Sequence, residues 1–440
     1  MKEHFDAVAG ALESLTKPGE IFLANYRAEH SDFVRFNKSA LRQPGRVEEI
    51  ELSVELILGK RHAEMTLNLS GRMEDDRARL GDVMSRLREI AARAPEDPYL
   101  LINEKPSPTE RVREGKILSP REAADAILAA GHSRDMVGIY AAGPVYTGFA
   151  NNLGQRNFDA TASFNLDWSF YHAGDKAVKS AYAGFEWSDK EFHHAVAGAG
   201  EKLKGLYHEP RTIPPGSYRA YLTPAALNEI MNMLAWGGYG LAAQKTRSTI
   251  FLRMIEGNAR LSPMVTIREN TDEGASPAFQ REGFIKPGCV TMVEGGLYRD
   301  ALVSPRSAVE YGAATNAANA YERPLSVEML PGDLDEADVL KRLGTGVYVS
   351  NLWYLNFSDR SAGRLTGMTR FGTFWVENGE IVAPLNVMRF DDTIYNMLGE
   401  NLEALTRSRE FLLDPSTYEG RSTESAHLPG ALLSSLRLTL

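Results

Sequence analysis

Residues 209–216 read Glu-Pro-Arg-Thr-Ile-Pro-Pro-Gly, and three prolines with a glycine in eight residues support neither helix nor strand. The break lies near the middle of a 440-residue chain, which is too long for a single hydrophobic core. Two domains are therefore expected, over residues 1–208 and 217–440.

Before the break, Phe5, Val8, Ala9, Leu12 and Leu15 recur at helical spacing until Lys17-Pro18-Gly19 stops them. Four runs follow, over 21–30, 32–41, 46–59 and 61–70, in which β-branched and aromatic residues roughly alternate with polar ones. Breaks such as Gln43-Pro44-Gly45 and Gly59-Lys60-Arg61 separate them, which predicts an antiparallel sheet of hairpins. Leu80, Val83, Met84, Leu87 and Ile90 form one stripe of a charged helix over 74–94, closed by Pro95 and Pro98. A helix over 120–130, strands over 138–152, 161–172 and 179–188, and a helix over 190–207 complete this half. Beyond the break come a strand over 218–224, a helix over 224–236, and then mainly strands and turns with one more helix over 393–408. The fold class is α+β: an N-terminal antiparallel sheet flanked by helices, and a C-terminal mainly β domain with a few helices.

A formal net charge of −9 offers no basic field to phosphate backbones, so direct nucleic-acid binding is not expected. The single cysteine, Cys289, permits neither an intrachain disulfide nor a thiolate-rich metal site, and within Lys286-Pro-Gly-Cys-Val-Thr-Met it reads as a small core residue. Acidic residues interrupt the apolar run of the amino terminus, and no stretch approaches the roughly 20 apolar residues that span a bilayer. A cytoplasmic protein without a membrane partner is expected.

The nine histidines include no pair at i, i+4, the spacing that puts two imidazoles on one helical face. His208-Glu209 is followed at once by Pro210, and His193-His194 diverge by about 100° on a helix. No Gly-x-Ser-x-Gly elbow is present, and the glycine clusters at 237–240, 294–296 and 344–346 read as turns. The stretch Asn351–Arg364 is richer: its adjacent aromatics, amides and arginines suit a ligand groove, a subunit interface or plain strand packing. Trp353, Asn356, Arg360 and Arg364 are its candidate substrate-binding residues.

Three further stretches, 269–312, 344–385 and 391–405, carry Asp272-Glu273-Gly274, Arg281-Glu282-Gly283 and the turn Glu377-Asn378-Gly379-Glu380-Ile381 with Pro384 after it. In order and spacing they resemble the TldD/PmbA family, the so-called modulators of DNA gyrase. The likeness is strongest after residue 210, and 32–43 is similar to the family's early hairpin. The resemblance implies one of two kinds of chain. One kind carries a zinc-binding His-Glu-x-x-x-His helix and the other lacks it; together they form a peptidase acting on unfolded peptides.

Set against that motif, Asn228-Glu229-Ile230-Met231-Asn232-Met233 places Asn228 and Met233 where the histidines stand and keeps Glu229 at the general acid/base position. An amide and a thioether are poor ligands for Zn²⁺, and without the ion no water is activated. The resemblance thus implies a PmbA/TldE-like, non-catalytic subunit with no cofactor of its own, zinc being expected only in a homologous partner. It also implies a dimer, with a zinc-bearing TldD-like homologue or with itself, that encloses a peptide substrate. The catalytic kind draws a further cysteine ligand from its carboxy-terminal region, and Cys289 lies outside the 349–357 segment where that ligand is sought. Two alternatives stand beside this: a regulator that binds DNA gyrase or a toxin–antitoxin system, and a peptidase with a different metal set built from His172, His208, Asp175 and Glu209.

Overall fold

The computed structural model describes residues 1–174 and 176–439. The amino-terminal half runs α1 (Lys2–Leu15), β1 (Glu20–Asn37), β2 (Ala40–Leu58), β3 (Arg61–Asn68), α2 (Met73–Ala91), β4 (Thr109–Arg113), α3 (Pro120–Gly131), β5 (Asp135–Asn151), β6 (Arg156–Ala173), β7 (Lys176–Gly184) and α4 (Asp189–Gly205). The carboxy-terminal half begins with β8 (Gly216–Leu222), α5 (Pro224–Ala235), α6 (Leu241–Lys245), α7 (Leu252–Ile255), β9 (Ile267–Asn270), β10 (Cys289–Glu294), β11 (Leu297–Tyr298) and α8 (Pro305–Tyr311). It continues with β12 (Ser326–Met329), α9 (Val339–Leu343), β13 (Gly346–Asp359), β14 (Arg364–Glu377), β15 (Glu380–Pro384), β16 (Arg389–Thr393), β17 (Leu402–Leu413) and β18 (Ser425–Leu438). The fold is α+β, and among the described residues no helix is long and apolar enough to cross a membrane.

The first sheet has the order β3-β2-β1-β5-β6, with β4 and β7 sharing the far edge of β6. Alternation drives it: Phe22, Ala24, Tyr26 and Ala28 point to one face, where α1 and α2 close a core with Phe5, Leu12, Leu52 and Leu80. At the other end α3 and α4 cover Phe36, Tyr140, Trp168 and Phe192, and this core continues without a break into Tyr221, Tyr348 and Phe374 of the second half. The second sheet has eleven strands and partly closes on itself. β8 lies parallel to β13 and antiparallel to β18, β14 pairs with β13 and β16, and β16 returns to β18 at Phe390 and Leu438. α5 packs against β13 and β18.

Several sequence expectations change. The first two of the four runs are one strand, β1, and Gln43-Pro44-Gly45 is no turn but part of β2, paired with residues 34–35 and 33 of β1. The ladder between β2 and β3 begins only at Glu51, so Pro44 sits on an uncovered edge where its missing N–H costs nothing. The first sheet is antiparallel except where β4 runs parallel to β6. The helix expected over 393–408 is absent: β16 ends at Thr393, one π-helical turn spans Asn396–Glu400, and β17 follows. Cys289 is exposed at the start of β10 rather than buried in a core.

The Arg281-Glu282-Gly283 turn docks onto the first sheet. Asn25 Nδ2 donates to the Arg281 carbonyl at 3.2 Å, Asn103 N to that of Glu282 at 2.9 Å, and Gln155 Nε2 to that of Gly283 at 2.7 Å. Arg281 reaches Glu64 at 2.5 Å. Burial, with the Glu55 carboxylate adding to it against the opposing Arg281, pushes the Glu282 carboxyl up to about 7. Because the folded value exceeds the ordinary carboxylate value, folding takes up a proton between the two. The associated stability is complete below about pH 4.5 and lost as pH rises toward 7. Wild type is expected to lose about 1–2 kcal/mol between pH 5.5 and 8 relative to Glu282→Gln, measured by urea unfolding. Parallel pH dependences in the two proteins would show that Glu282 is ionised in the fold.

Candidate functional site

The helix that aligns with the zinc motif is α5. Thr223 starts it: its Oγ1 accepts from Ala226 N at 3.2 Å and donates to the Ser350 carbonyl at 2.6 Å, while Pro224 fills the first turn. This ties the helix entrance to β13. Leu227, Ile230, Met231 and Leu234 are fully buried, and Asn232 is exposed. Met233 is 8% exposed and belongs to the core of the second half. Asn228 is only partly buried, and five residues along a helix of 3.6 per turn separate the two directions by about 140°. The family's motif has the same five-residue spacing, so the difference lies in the side chains: an amide and a thioether packed in the core are poor ligands for the ion. The zinc that the family's motif holds does not fit these residues.

Glu229 is partly buried, and Lys179 of β7, from the other half of the chain, lies close enough for its charge to act on it. Burial raises its carboxyl pKa, and the Lys179 ammonium opposes that rise. Lys179 is itself bonded to Asp167 Oδ2 at 3.0 Å, and the Asp167 carboxyl is likewise raised by burial against the same lysine.

The four candidates on the β13–β14 hairpin do not form one pocket. Arg364 is committed to Asp391 at 2.6 Å, and Asn356 Oδ1 accepts from the backbone N–H of Phe357 at 2.8 Å. Arg360 lies over the rings of Phe357 at 4.1 Å and Trp236 at 5.4 Å, and Trp353 is stacked by Arg370 at 4.5 Å. The ladder slips between Trp353 and Asn356, where Tyr354 adopts φ +57°. That slip turns Tyr354 outward, 73% exposed, beside Trp353 at 49%, while Trp236, 61% exposed, lies against Phe357 of the same hairpin. Trp236, Tyr354 and Arg370 were missed in the sequence. The available signal was an aromatic following another aromatic in a strand, which alternation alone would have buried.

His172 is exposed and packs edge-on against Tyr207 at 4.4 Å; His208 and Glu209 are also exposed, and Asp175 lies outside the described residues. Among the described residues, His172, His208 and Glu209 do not assemble a ligand set. Among the described residues one group of three metal-type ligands converges elsewhere, Glu273, Glu328 and His427. Cys289 carries a thiol whose pKa is raised by partial desolvation, the reverse of an activated nucleophile.

Residues 215–440 match the family model described as the PmbA/TldA metallopeptidase C-terminal domain. No curated protein matches the chain. Among solved structures, TldE from Thermococcus kodakarensis superposes with a TM-score of 0.78 at 13% identity, covering 99% of this chain and 100% of that one. TM0727 of Thermotoga maritima, described as a modulator of a DNA gyrase, gives 0.73 at 14% identity with both chains fully covered. BT3649 of Bacteroides thetaiotaomicron, described in the same way, gives 0.72 at 14%, covering 100% of this chain and 98% of that one. At these identities the structures speak for the fold.

Proposed function

The chain belongs to the PmbA/TldD metallopeptidase family, and we propose that it is the non-catalytic subunit of a peptidase assembly, contributing walls and contacts but no catalytic zinc. The observation that carries this reading is that the two ligand positions of the motif hold Met233, packed in the core at 8% exposure, and Asn228, a partly buried amide, neither of them a zinc ligand. Zinc then resides in a homologous partner, with which this chain, or a second copy of it, encloses an extended, unfolded peptide. Peptide backbone can add to free strand edges with little sequence preference. Trp353 and Trp236, each under a guanidinium, and Tyr354 against Trp353 are residue types enriched at the centres of interfaces, which supports placing the hairpin at the seam. The two sheets lie on either side of 209–216, which supports domains over 1–208 and 217–440.

The test is to purify the chain alone and together with a zinc-bearing homologue, and to measure zinc content and casein digestion for each. The chain alone is expected to be inactive and the pair active. Trp353→Ala with Tyr354→Ala is expected to weaken the complex about tenfold or more, since loss of such anchors costs 1–2 kcal/mol or more. Digestion by the isolated chain at the rate of the pair would overturn the reading. Recovery of gyrase from a pull-down without any homologue would replace it with a regulatory one.

A further inference from the structure

Three separate segments of the second half bring ligand-type side chains together well away in sequence from α5. Glu273 sits in the turn after β9, Glu328 on β12 and His427 on β18, and one donor atom from each lies within 4.8 Å of the others. The sheet sets two of them: β12 runs parallel to β18, with Glu328 directly beside His427 in register. The third is placed by its turn, in which Asn270 Oδ1 accepts from Glu273 N at 3.3 Å. Gly274 follows, and a Cβ there would lie 2.0 Å from Ser326 Oγ, so the turn can approach β12 this closely only with glycine. His427 Nδ1 is 4.0 Å from Glu273 Oε2.

A second observation points to an occupant. Ser326 is 3% exposed, its hydroxyl has no hydrogen-bond partner, and it lines the same small cavity as Glu273, Glu328 and His427, about 20 Å³ in volume. A buried hydroxyl is seldom left unpaired, and that space holds one ion or one water. Glu328 is oriented from behind: Arg409 Nη1 donates to Oε1 at 2.5 Å and Asn270 Nδ2 to Oε2 at 3.1 Å, with Arg268 Nη1 at 4.0 Å. Supporting bonds of this kind fix ligating carboxylates in metal sites. The two arginines also work against weakly bound, all-oxygen cations and leave the advantage to an ion that gains from imidazole nitrogen.

We propose that Glu273, Glu328 and His427 form a site for one divalent transition-metal ion of the zinc type, distinct from the helix where the family's motif stands. Three protein donors leave a fourth position for water, within reach of the Ser326 hydroxyl. Donors around such an ion stand about 3.3–3.5 Å apart, so binding draws the three inward by up to about 1.5 Å. Glu273, whose side chain is 64% exposed on a turn, is the one able to move. The site gives a physical role to Asp272-Glu273-Gly274, a motif the proposed subunit function does not use. It does not depend on that function.

The test uses the full chain, stripped of metal, titrated with Zn²⁺ by calorimetry and with Co²⁺ by visible absorption. One equivalent is expected to bind. His427→Ala and Glu273→Gln are each expected to weaken binding tenfold or more, with Ca²⁺ showing no heat and Asn228→Ala leaving Zn²⁺ binding unchanged. Glu273→Gln is the informative variant if His427→Ala misfolds, because position 273 is exposed. Absence of Zn²⁺ binding, or binding indifferent to both changes, overturns the proposal. Binding lost in Asn228→Ala instead would overturn the zinc-free reading of α5 as well, so the two failures are told apart.

Discussion

Replacing Arg421 by Met is expected to lower the free energy of unfolding by about 3–5 kcal/mol, the range for removing one partner of a buried charge network. Arg421 comes from the segment between β17 and β18 and is 3% exposed, inserted into the first sheet. The β1–β5 ladder breaks there: pairing stops at Glu29 and Val145 and resumes at Asp32 and Ala142. Within the gap Gly143 takes φ +138°, and the His30 carbonyl lies 2.0 Å from where a Cβ would be, so only glycine fits. The gap strands carbonyls that a ladder would have satisfied. Arg421 Nη1 donates to Gly143 O at 2.8 Å, and Nη2 to Ser163 O at 2.9 Å and to Ser163 Oγ at 2.8 Å. Its own N–H donates to Glu29 Oε2 at 2.8 Å, and Glu29 is 5% exposed. Burial brings the guanidinium pKa down to about 10, with Glu29 opposing, so the cation persists at neutral pH. Methionine would fill the volume but remove the guanidinium's charge from beside Glu29 and leave the Gly143 and Ser163 carbonyls without its donors. Arg421→Lys is expected to recover only part of the loss, because a single ammonium cannot reproduce the forked donors. Guanidinium denaturation followed with two probes measures it; a loss under 1 kcal/mol would show that water fills the gap equally well.

Local patterns in the sequence made most of the first sheet and its helices legible, because burial on one face imposes period two on Phe22, Ala24, Tyr26 and Ala28. What failed had tertiary causes. Leu398, Leu402 and Leu405 sit at helical spacing, yet β18 offers a strand edge, and Leu402, Ala404 and Leu405 pair with Leu433, Leu432 and Ala431. Pairing across the sheet outweighs a weak helical preference. Proline and glycine at 44 and 45 signal a turn anywhere except on an uncovered edge. Arg421 could not be read at all: Glu29 and Ser163 are 392 and 258 residues away, and only the fold joins them. The candidate site divides in the same way. The core side of α5, Met233 included, follows from its run of apolar residues, whereas the meeting of Glu229 with Lys179 depends on how the two halves pack.

The second large effect concerns that helix. Met233→His, alone or with Asn228→His, is expected to cost about 3 kcal/mol and to bring no zinc to α5. The thioether at 233 fills part of the second core, so the change removes packing volume and buries ring nitrogens that lack partners. Met233→His alone supplies one imidazole, which does not hold the ion, and the double variant, with Cys289 at the start of β10, still lacks the third protein ligand that a zinc site needs. The measurement is zinc content of the purified variants, with urea unfolding and casein digestion beside it, made in a His427→Ala background so that an ion at Glu273 and Glu328 is not counted. If the double variant carried one zinc per chain at unchanged stability, the core packing around position 233 would have to open to the ion. The packing on which the zinc-free role rests would then belong to one state of a mobile helix.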